Sequence, residues 1–141
     1  MPDATASPGE TDARARLAGP GRPDQRLGRA LRIAHSGVFQ QAYEQGRRYV
    51  GSGMVMWLRS GEGAALRLGV VASRKVGDAV DRARAKRRLR EAYRRNRYRF
   101  HGAYDVVLIA RRALLGAPWP QVESELLRLA SRAGILERPA G

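Results

Sequence analysis

Residues 68–92 read LGVVASRKVGDAVDRARAKRRLREA, a short apolar run followed by a long segment rich in arginine. The apolar run is typical of a strand covered on both faces, so we predict a strand over Leu66–Ser73. From Ala79 to Phe100 the chain carries ten basic residues and only two acidic ones. Six residues of this segment fall on one stripe at helical spacing: Ala85, Leu89, Ala92, Tyr93, Asn96 and Phe100. The segment is therefore predicted to be a helix that docks by a narrow seam and presents a wide cationic surface.

The start of this helix and the distribution of its charges both carry information. Asp78 is placed to cap the first turn, where the helix dipole also favours an acidic residue. A solvated helix face usually interleaves acidic and basic residues four positions apart, which stabilises the helix. Here Lys86, Arg90 and Arg94 repeat the same charge at that spacing, which destabilises an isolated helix. A surface that binds a polyanion explains the run better than a solvated face, and arginine suits bidentate contacts with phosphate.

The charge of the whole chain points to the same class of partner. Its 141 residues include 27 Lys and Arg against 13 Asp and Glu, which gives a net charge of +14. Nucleic acid is the favoured polyanion, because neutralising phosphates releases condensed counterions. A membrane surface is the rival, but it would require a helix with a continuous apolar face. The seam of the basic helix contains Tyr93 and Asn96 and few large aliphatic residues, so nucleic acid is preferred and no membrane partner is expected.

Several function classes are excluded by what the chain lacks. With no cysteine, it has no disulfide, no thiolate nucleophile and no Cys-ligated zinc. His35 and His101 lie far apart in sequence without metal-ligand spacing around them. Paired carboxylates and a nucleophile with its base are also missing, so we predict no catalytic and no metal-binding residue. A helix that reads DNA bases would carry Asn or Gln for base edges, whereas arginine dominates here.

Proline, glycine and small polar residues fill the beginning of the chain. That composition buries too little surface to offset the entropy of ordering, so residues 1–26 are predicted to be a disordered tail. A single folded domain is expected over residues 27–136, followed by a short tail over 137–141. The first residues lack the apolar run of a signal peptide, and we expect a cytoplasmic protein.

Hydrophobic periodicity predicts a helix on either side of the basic segment. Ser36 is placed to cap the first of them, which Gly46 ends. Pro120 is expected at the first position of a closing helix that Gly134 ends. Two apolar stripes define the faces that these helices bury: Val38, Phe39, Ala42 and Tyr43 in the first, and Val122, Leu126, Leu129, Ala130 and Ala133 in the second.

Two further strands are predicted from apolar runs bounded by turn residues. One strand covers Met54–Leu58 and is followed by a turn over Arg59–Gly63. The other covers Tyr104–Ala110 and has the composition of a strand buried on both faces.

The central segment resembles the signature of the bacterial ribonuclease P protein family. That signature places Ser and two basic residues after a strand, then Gly, Ala-Val, Arg-Asn-Arg, Lys-Arg and a final Arg. The resemblance covers about residues 27–136, and the chain departs from it at Ala83, in place of Asn, and at Ala85, in place of a branched aliphatic residue. The matching positions are Ser73, Arg74, Lys75, Gly77, Ala79, Arg82, Arg84, Lys86, Arg87 and Arg90.

The resemblance implies a mixed α+β fold, an α/β sandwich similar to some ribosomal proteins. Its elements would follow the order α-β-β-β-α-β-α, with a sheet of about four strands. The strand that periodicity does not reveal is expected around Arg48–Gly51. The basic helix would form a left-handed crossover between two parallel strands, against the usual right-handed rule.

The resemblance also implies a function in removing the 5′ leader of precursor tRNA. In that family the RNA subunit, with associated Mg²⁺, is the catalyst, and no cofactor is expected on the protein alone. The protein would bind ribonuclease P RNA and precursor tRNA, without a protein partner. The alternative is a ribosomal or ribosome-associated RNA-binding protein with no role in processing. The predicted RNA-binding residues are Arg74, Lys75, Arg82, Arg84, Lys86, Arg87, Arg90 and Arg94.

A cleft lined by aromatic residues would hold the leader. By position in the family, Phe39, Tyr43 and Trp57 would form its floor, since aromatic faces stack on unpaired bases with little sequence preference. Phe39 and Tyr43 lie four positions apart, so they could equally be core residues of the first helix. For Trp57 the cleft is favoured, because an indole N–H is costly to bury without an acceptor.

Overall fold

The computed structural model describes residues 32–33 and 36–136. The predicted tails over 1–26 and 137–141, and the start of the domain at residue 27, lie outside the described residues. The order of elements is the α-β-β-β-α-β-α order of the mixed α+β class that the resemblance implies. The elements are α1 (Ser36–Gln45), β1 (Arg47–Val50), β2 (Met54–Ser60), β3 (Leu68–Val71), α2 (Ala79–Asn96), β4 (Tyr104–Ala110) and α3 (Trp119–Ala133), with 3₁₀ segments at Arg97–Arg99 and Arg112–Gly116.

The four strands form one sheet in the order β1-β2-β4-β3. β2 pairs antiparallel with both β1 and β4, while β3 pairs parallel with β4. Because β3 and β4 are parallel neighbours, the chain must cross over between them, and α2 is that connection. The fourth strand expected around Arg48–Gly51 is confirmed as β1.

Alternation along the strands divides the sheet into two faces. On one face Met56, Leu58 and Leu108 are fully buried in the main core, together with the apolar seams of α2 and α3. On the other face Trp57 and Val107, which are register partners, pack with α1 in a second, smaller cluster. We call these the packed face and the open face.

The basic helix α2 follows its predicted pattern. Asp78 accepts a hydrogen bond from the Asp81 backbone N–H (2.8 Å), and the two residues form a reciprocal capping box. Tyr93 is completely buried and donates its hydroxyl proton to the Leu66 carbonyl (2.6 Å). All six residues of the predicted seam are buried: Ala85, Leu89, Ala92, Tyr93, Asn96 and Phe100.

The bounds of two strands differ from the prediction for physical reasons. β2 runs to Ser60, because Arg59 pairs in register with Asp105 instead of starting the predicted turn. The strand predicted over Leu66–Ser73 is shortened to β3. Leu66 has φ 57°, a left-handed conformation that does not fit a strand.

The two flanking helices differ from the prediction by one residue at their starts. Ser36, predicted as a cap, is the first helical residue of α1. Trp119 begins α3, so Pro120 is its second residue, and Gly134 ends it with φ 78°. The predicted apolar stripe of α3 is confirmed as buried over its whole length.

Candidate nucleic-acid interface

Helical spacing sorts the cations of α2 into two flanks and a crest, since residues three or four apart share a side. The first flank is formed by Arg82, Lys86, Arg90 and, just past the helix, Arg97. The second flank is formed by Arg84, Arg88 and Arg95. The crest, opposite the buried seam, carries Ala83, Arg87 and Arg94.

The first flank borders β3 and the loop before it. Arg97 donates hydrogen bonds to the carbonyls of Ala65 (3.1 Å) and Leu66 (3.4 Å). Burial, and then the positive charge of Arg32, lower the pKa of Arg90. Arg32 itself lies beside β3, where it forms an isolated parallel bridge with Leu68. This flank therefore holds cations close to the edge of the sheet.

The second flank borders the second 3₁₀ segment, Arg112–Gly116, which we call the 3₁₀ segment below, and the start of α3. Arg88 donates to the carbonyls of Leu114 (2.7 Å) and Ala117 (2.6 Å), and Arg84 donates to that of Leu115 (3.3 Å). These acceptors are neutral carbonyls, so they hold the guanidinium groups in place without neutralising their charge.

The crest and the turn before the helix point most directly to solvent. Arg87 is exposed, whereas Arg94 forms an ion pair with Glu91. The hydrogen bond that Arg94 donates within this ion pair is the main reason why the pKa of Glu91 lies below its ordinary value. Arg74 and Lys75 are exposed in a turn that is closed by the Val76 N–H donating to the Ser73 carbonyl (3.0 Å).

The predicted RNA-binding cations are almost free of carboxylate partners. Among residues 32–33 and 36–136 the ion pairs are Arg59–Asp105, Arg67–Asp105 and Arg94–Glu91. Of the eight predicted cations, Arg94 alone takes part in one of these pairs. The structure thus places all eight on α2 and the turn before it, and leaves a dense positive potential there.

The open face brings the three predicted aromatic residues together. Phe39 and Tyr43 from α1 and Trp57 from β2 belong to one partly exposed cluster over the buried Val107. The Phe39 ring lies directly on the backbone of Gly69, where a methyl group would be 2.5 Å from its Cζ atom. Phe39 and Tyr43 are therefore packed against the sheet, while part of each side chain stays exposed.

Trp57 has neighbours on two sides. The Tyr43 ring meets it edge to face, with centroids 5.2 Å apart, and the Arg48 guanidinium carbon lies 5.8 Å from its ring centroid. Its indole Nε1 is buried and has no acceptor among the described residues. Burial also raises the pKa of Tyr43. The cluster thus presents aromatic surface, with a cation on β1 beside it.

Sequence reasoning missed a buried ionic cluster on the same face. Asp105 is completely buried and accepts hydrogen bonds from Arg59 (2.9 Å) and Arg67 (2.7 Å). Arg59 also donates to Gln41 of α1 (2.7 Å), so the cluster ties α1 to the sheet. A lone carboxylate within an apolar strand was the signal available in the sequence.

Opposing effects set the ionisation of Asp105. Burial, the largest effect, raises the pKa of its carboxyl, but hydrogen bonds from Arg67, the Ala65 N–H and Arg59 together hold it below the ordinary value. The carboxylate therefore stays charged and compensates the two guanidinium groups.

Neither a side-chain cluster suited to a metal ion nor a helix able to span a membrane is found among the described residues. In the described part of the chain, no group of three or more His, Cys, Asp or Glu side chains is arranged to hold a metal ion. None of the helices in that part is both long and apolar enough to span a bilayer.

Comparison with known proteins gives consistent matches. The sequence model of the family described as Ribonuclease P matches residues 27–134. The ribonuclease P protein component of Symbiobacterium thermophilum is 41% identical over 111 residues, which cover 78% of this chain and 96% of that protein. The ribonuclease P protein of Staphylococcus aureus is similar in structure, with a TM-score of 0.66, 26% identity, and coverage of 76% of this chain and 98% of that one. For the Thermotoga maritima protein the TM-score is 0.64 with 30% identity, over 72% and 96% of the two chains.

Proposed function

Because the chain belongs to the ribonuclease P protein family, we propose that it binds two RNA molecules on opposite sides of its sheet. One is the ribonuclease P RNA, which α2 holds by its cations. The other is precursor tRNA, whose 5′ leader lies on the aromatic cluster of the open face. The particle removes that leader by endonucleolytic cleavage.

One observation carries this proposal. The cations of α2 and the aromatic cluster are built on opposite faces of a single sheet, so they can engage two partners at once. The cationic side offers many charges that have no carboxylate partner in the described part of the chain, which suits the sugar–phosphate backbone of a folded RNA. The open face offers Phe39, Tyr43 and Trp57, which suit unstacked bases of a single strand.

The protein contributes positioning to the reaction. We place the chemistry on the RNA subunit with its associated Mg²⁺, and assign no catalytic side chain to this chain. Holding the leader and the RNA subunit together converts an encounter between two RNAs into a prearranged geometry. The cations also neutralise phosphates, which favours the folded RNA at low magnesium. The protein acts in the cytoplasm, where precursor tRNA is made.

The ribosomal alternative shares the charge and the basic helix. The matched relatives are ribonuclease P protein components, which favours the role in tRNA processing. The aromatic cluster also separates the two functions, since binding to ribosomal RNA alone requires no surface for an unpaired leader.

The deciding experiment reconstitutes the particle from this protein, the ribonuclease P RNA of the same organism and a precursor tRNA. At low magnesium the protein should accelerate 5′ cleavage. A double variant, Arg82→Ala with Arg90→Ala, should lose much of that effect. Its matched control removes two exposed cations of α3, Arg128→Ala with Arg132→Ala, and should behave as the wild type. An absence of acceleration, together with tight binding to ribosomal RNA, would establish the alternative instead.

A further inference from the structure

Trp119 lies beneath the second flank of α2. The guanidinium carbons of Arg88 and Arg95 are 5.8 Å and 5.6 Å from its ring centroid, within the range of a cation–π contact. The indole is half-buried at the start of α3, and its Nε1 atom has no acceptor within residues 32–33 and 36–136. One aromatic ring thus supports two cations that the family signature does not include.

The carboxylates near this group have other partners. Glu91 pairs with Arg94 and meets Arg95 only as a longer-range charge. Glu123 accepts a hydrogen bond from Asn96 (2.9 Å), and the first turn of α3 holds no acidic residue. Within residues 32–33 and 36–136, therefore, no carboxylate forms an ion pair with Arg84, Arg88 or Arg95.

Packing within the protein accounts for the position of the Arg88 side chain, but not for that of Arg95. Arg88 fastens α2 to the 3₁₀ segment, with bonds to the carbonyls of Leu114, Leu115 and Ala117. Arg95 is exposed and rests on the indole. A long side chain that is already positioned loses less entropy when it binds a ligand. Arg95 is thus preorganised to receive an anion from solvent.

We propose that Arg95, Arg88 and Trp119, in line with Arg84, form a second RNA-binding surface that holds the sugar–phosphate backbone of the ribonuclease P RNA. This inference rests on the proposed function. The RNA subunit is the chosen partner because this flank faces α3 and the 3₁₀ segment, away from the edge of β3. A leader on the open face lies on the other side of the sheet.

The experiment measures binding of the intact protein to ribonuclease P RNA over a series of salt concentrations. Arg95→Gln removes one cation from this surface, and Arg128→Gln is the control, with the same change at an exposed position of α3. Loss of one phosphate contact should reduce the log–log slope by about 0.9 and weaken binding about fivefold at physiological salt. Arg128→Gln should leave the slope unchanged.

A double-mutant cycle tests the role of the indole. Trp119→Leu should weaken binding when Arg95 is present and have little further effect in the Arg95→Gln background, because Arg88 stays held by three backbone carbonyls without the ring. A ring that acts only in folding would produce equal losses in both backgrounds. Thermal melts of each variant identify protein that is still folded, and Trp119→Phe, which keeps an aromatic platform, should restore most of the affinity.

The outcomes separate this surface from the proposed function. Equal slope changes for Arg95→Gln and Arg128→Gln would reflect net charge and overturn the proposal. If Arg95→Gln has no effect while Arg82→Ala weakens binding, the second surface is wrong and the proposed function stands. If neither variant has an effect, both the second surface and the assignment of α2 to the RNA subunit fail.

Discussion

The packed face of the sheet is covered by two long helices, whereas the open face is covered by the ten residues of α1. Leu58 and Leu108 on the packed face are completely shielded from solvent. Trp57, which precedes Leu58 in β2 and lies on the open face, is only half-buried. Burial of apolar area is the main source of stability, so the packed face supplies most of it. The open face keeps aromatic surface available for a ligand.

The two faces also treat charge differently. On the packed side the cations of α2 stay at the surface, outside the apolar seam. On the open face, by contrast, Arg59 and Asp105 are buried and paired. The bond from Arg59 to Gln41 thus adds an ionic cluster to the small apolar contact that attaches α1 to the sheet. This difference can be tested on each side by mutation.

The largest effect is expected from Asp105→Asn. Removing one partner of a buried ion pair leaves uncompensated charge, which costs about 3–5 kcal/mol in the free energy of unfolding. Urea denaturation measures this loss. Asp78→Asn is the matched control, because Asn caps a helix about as well as Asp and stability should hardly change. Equal effects of the two substitutions would show that the cluster does not support the open face.

The same residue predicts a dependence on pH. The folded-state pKa of Asp105 lies below its ordinary value, so its contribution is present above the unfolded pKa of about 3.9. It is lost as the pH falls through the folded pKa. The difference in stability between wild type and Asp105→Asn should therefore shrink in acid. A constant difference from neutral pH downwards would contradict the assignment.

The next effect concerns binding on the open face. Trp57→Ala removes a stacking platform worth about 1–3 kcal/mol per base. Affinity for leader-bearing precursor should therefore fall about five- to 150-fold, while affinity for mature tRNA hardly changes. The measurement is the ratio of the two affinities for a holoenzyme whose protein still melts cooperatively. Trp57→Phe keeps the platform and should preserve the ratio. If Trp57→Ala leaves the ratio unchanged, the residue belongs to the core alone.

A smaller effect is expected from single cations on the opposite side. Arg82→Ala, Arg84→Ala and Arg90→Ala should each make the salt dependence of RNA binding shallower by about 0.9 in log–log slope. Stability should change little, because none of the three has a carboxylate partner among the described residues. Filter binding over a salt series gives the slopes. Unchanged slopes for all three would remove α2 from the RNA interface.

The smallest effect is expected at Ala83, which lies exposed on the crest of α2. Asn is the residue of the family signature here, and its amide could orient RNA or a hydrated metal ion. Ala83→Asn should lower the magnesium needed for half-maximal cleavage by about twofold, as expected for a net hydrogen bond at the weak end of the usual range, about 0.5 kcal/mol. It should also cost about 0.5 kcal/mol in helix propensity. Identical magnesium titrations would show that the amide is not needed in this particle.

Local patterns predicted the packed face well. The seam of α2, its Asp78 cap and the bounds of β4 follow from periodicity and capping rules, which involve neighbours in sequence. The fold of the resembling family supplied β1, because its residues, Arg, Arg, Tyr and Val, form no apolar run. The gathering of Phe39, Tyr43 and Trp57 was likewise expected from the resemblance, and the structure places them in one cluster.

Contacts between distant residues were not predictable in the same way. Arg59 belongs to β2 because Asp105, 46 positions later, pairs with it. Glu125 is buried because its carboxylate accepts hydrogen bonds from the Ser52 hydroxyl (2.7 Å) and the Gly53 N–H (2.8 Å). Polar residues are expected at the surface unless they are paired, and no local pattern reveals a partner so far along the chain.

Placing the two RNA surfaces on either side of one sheet has a mechanical consequence. Hydrogen-bonded strands do not stretch, and α2 is itself about 10 Å across. Under the proposed function, the separation between the leader and the RNA subunit would be set by the thickness of the protein and not by the sequence of either strand. The sheet would then hold the junction between leader and tRNA at a constant height above the RNA subunit, whatever leader a particular tRNA carries.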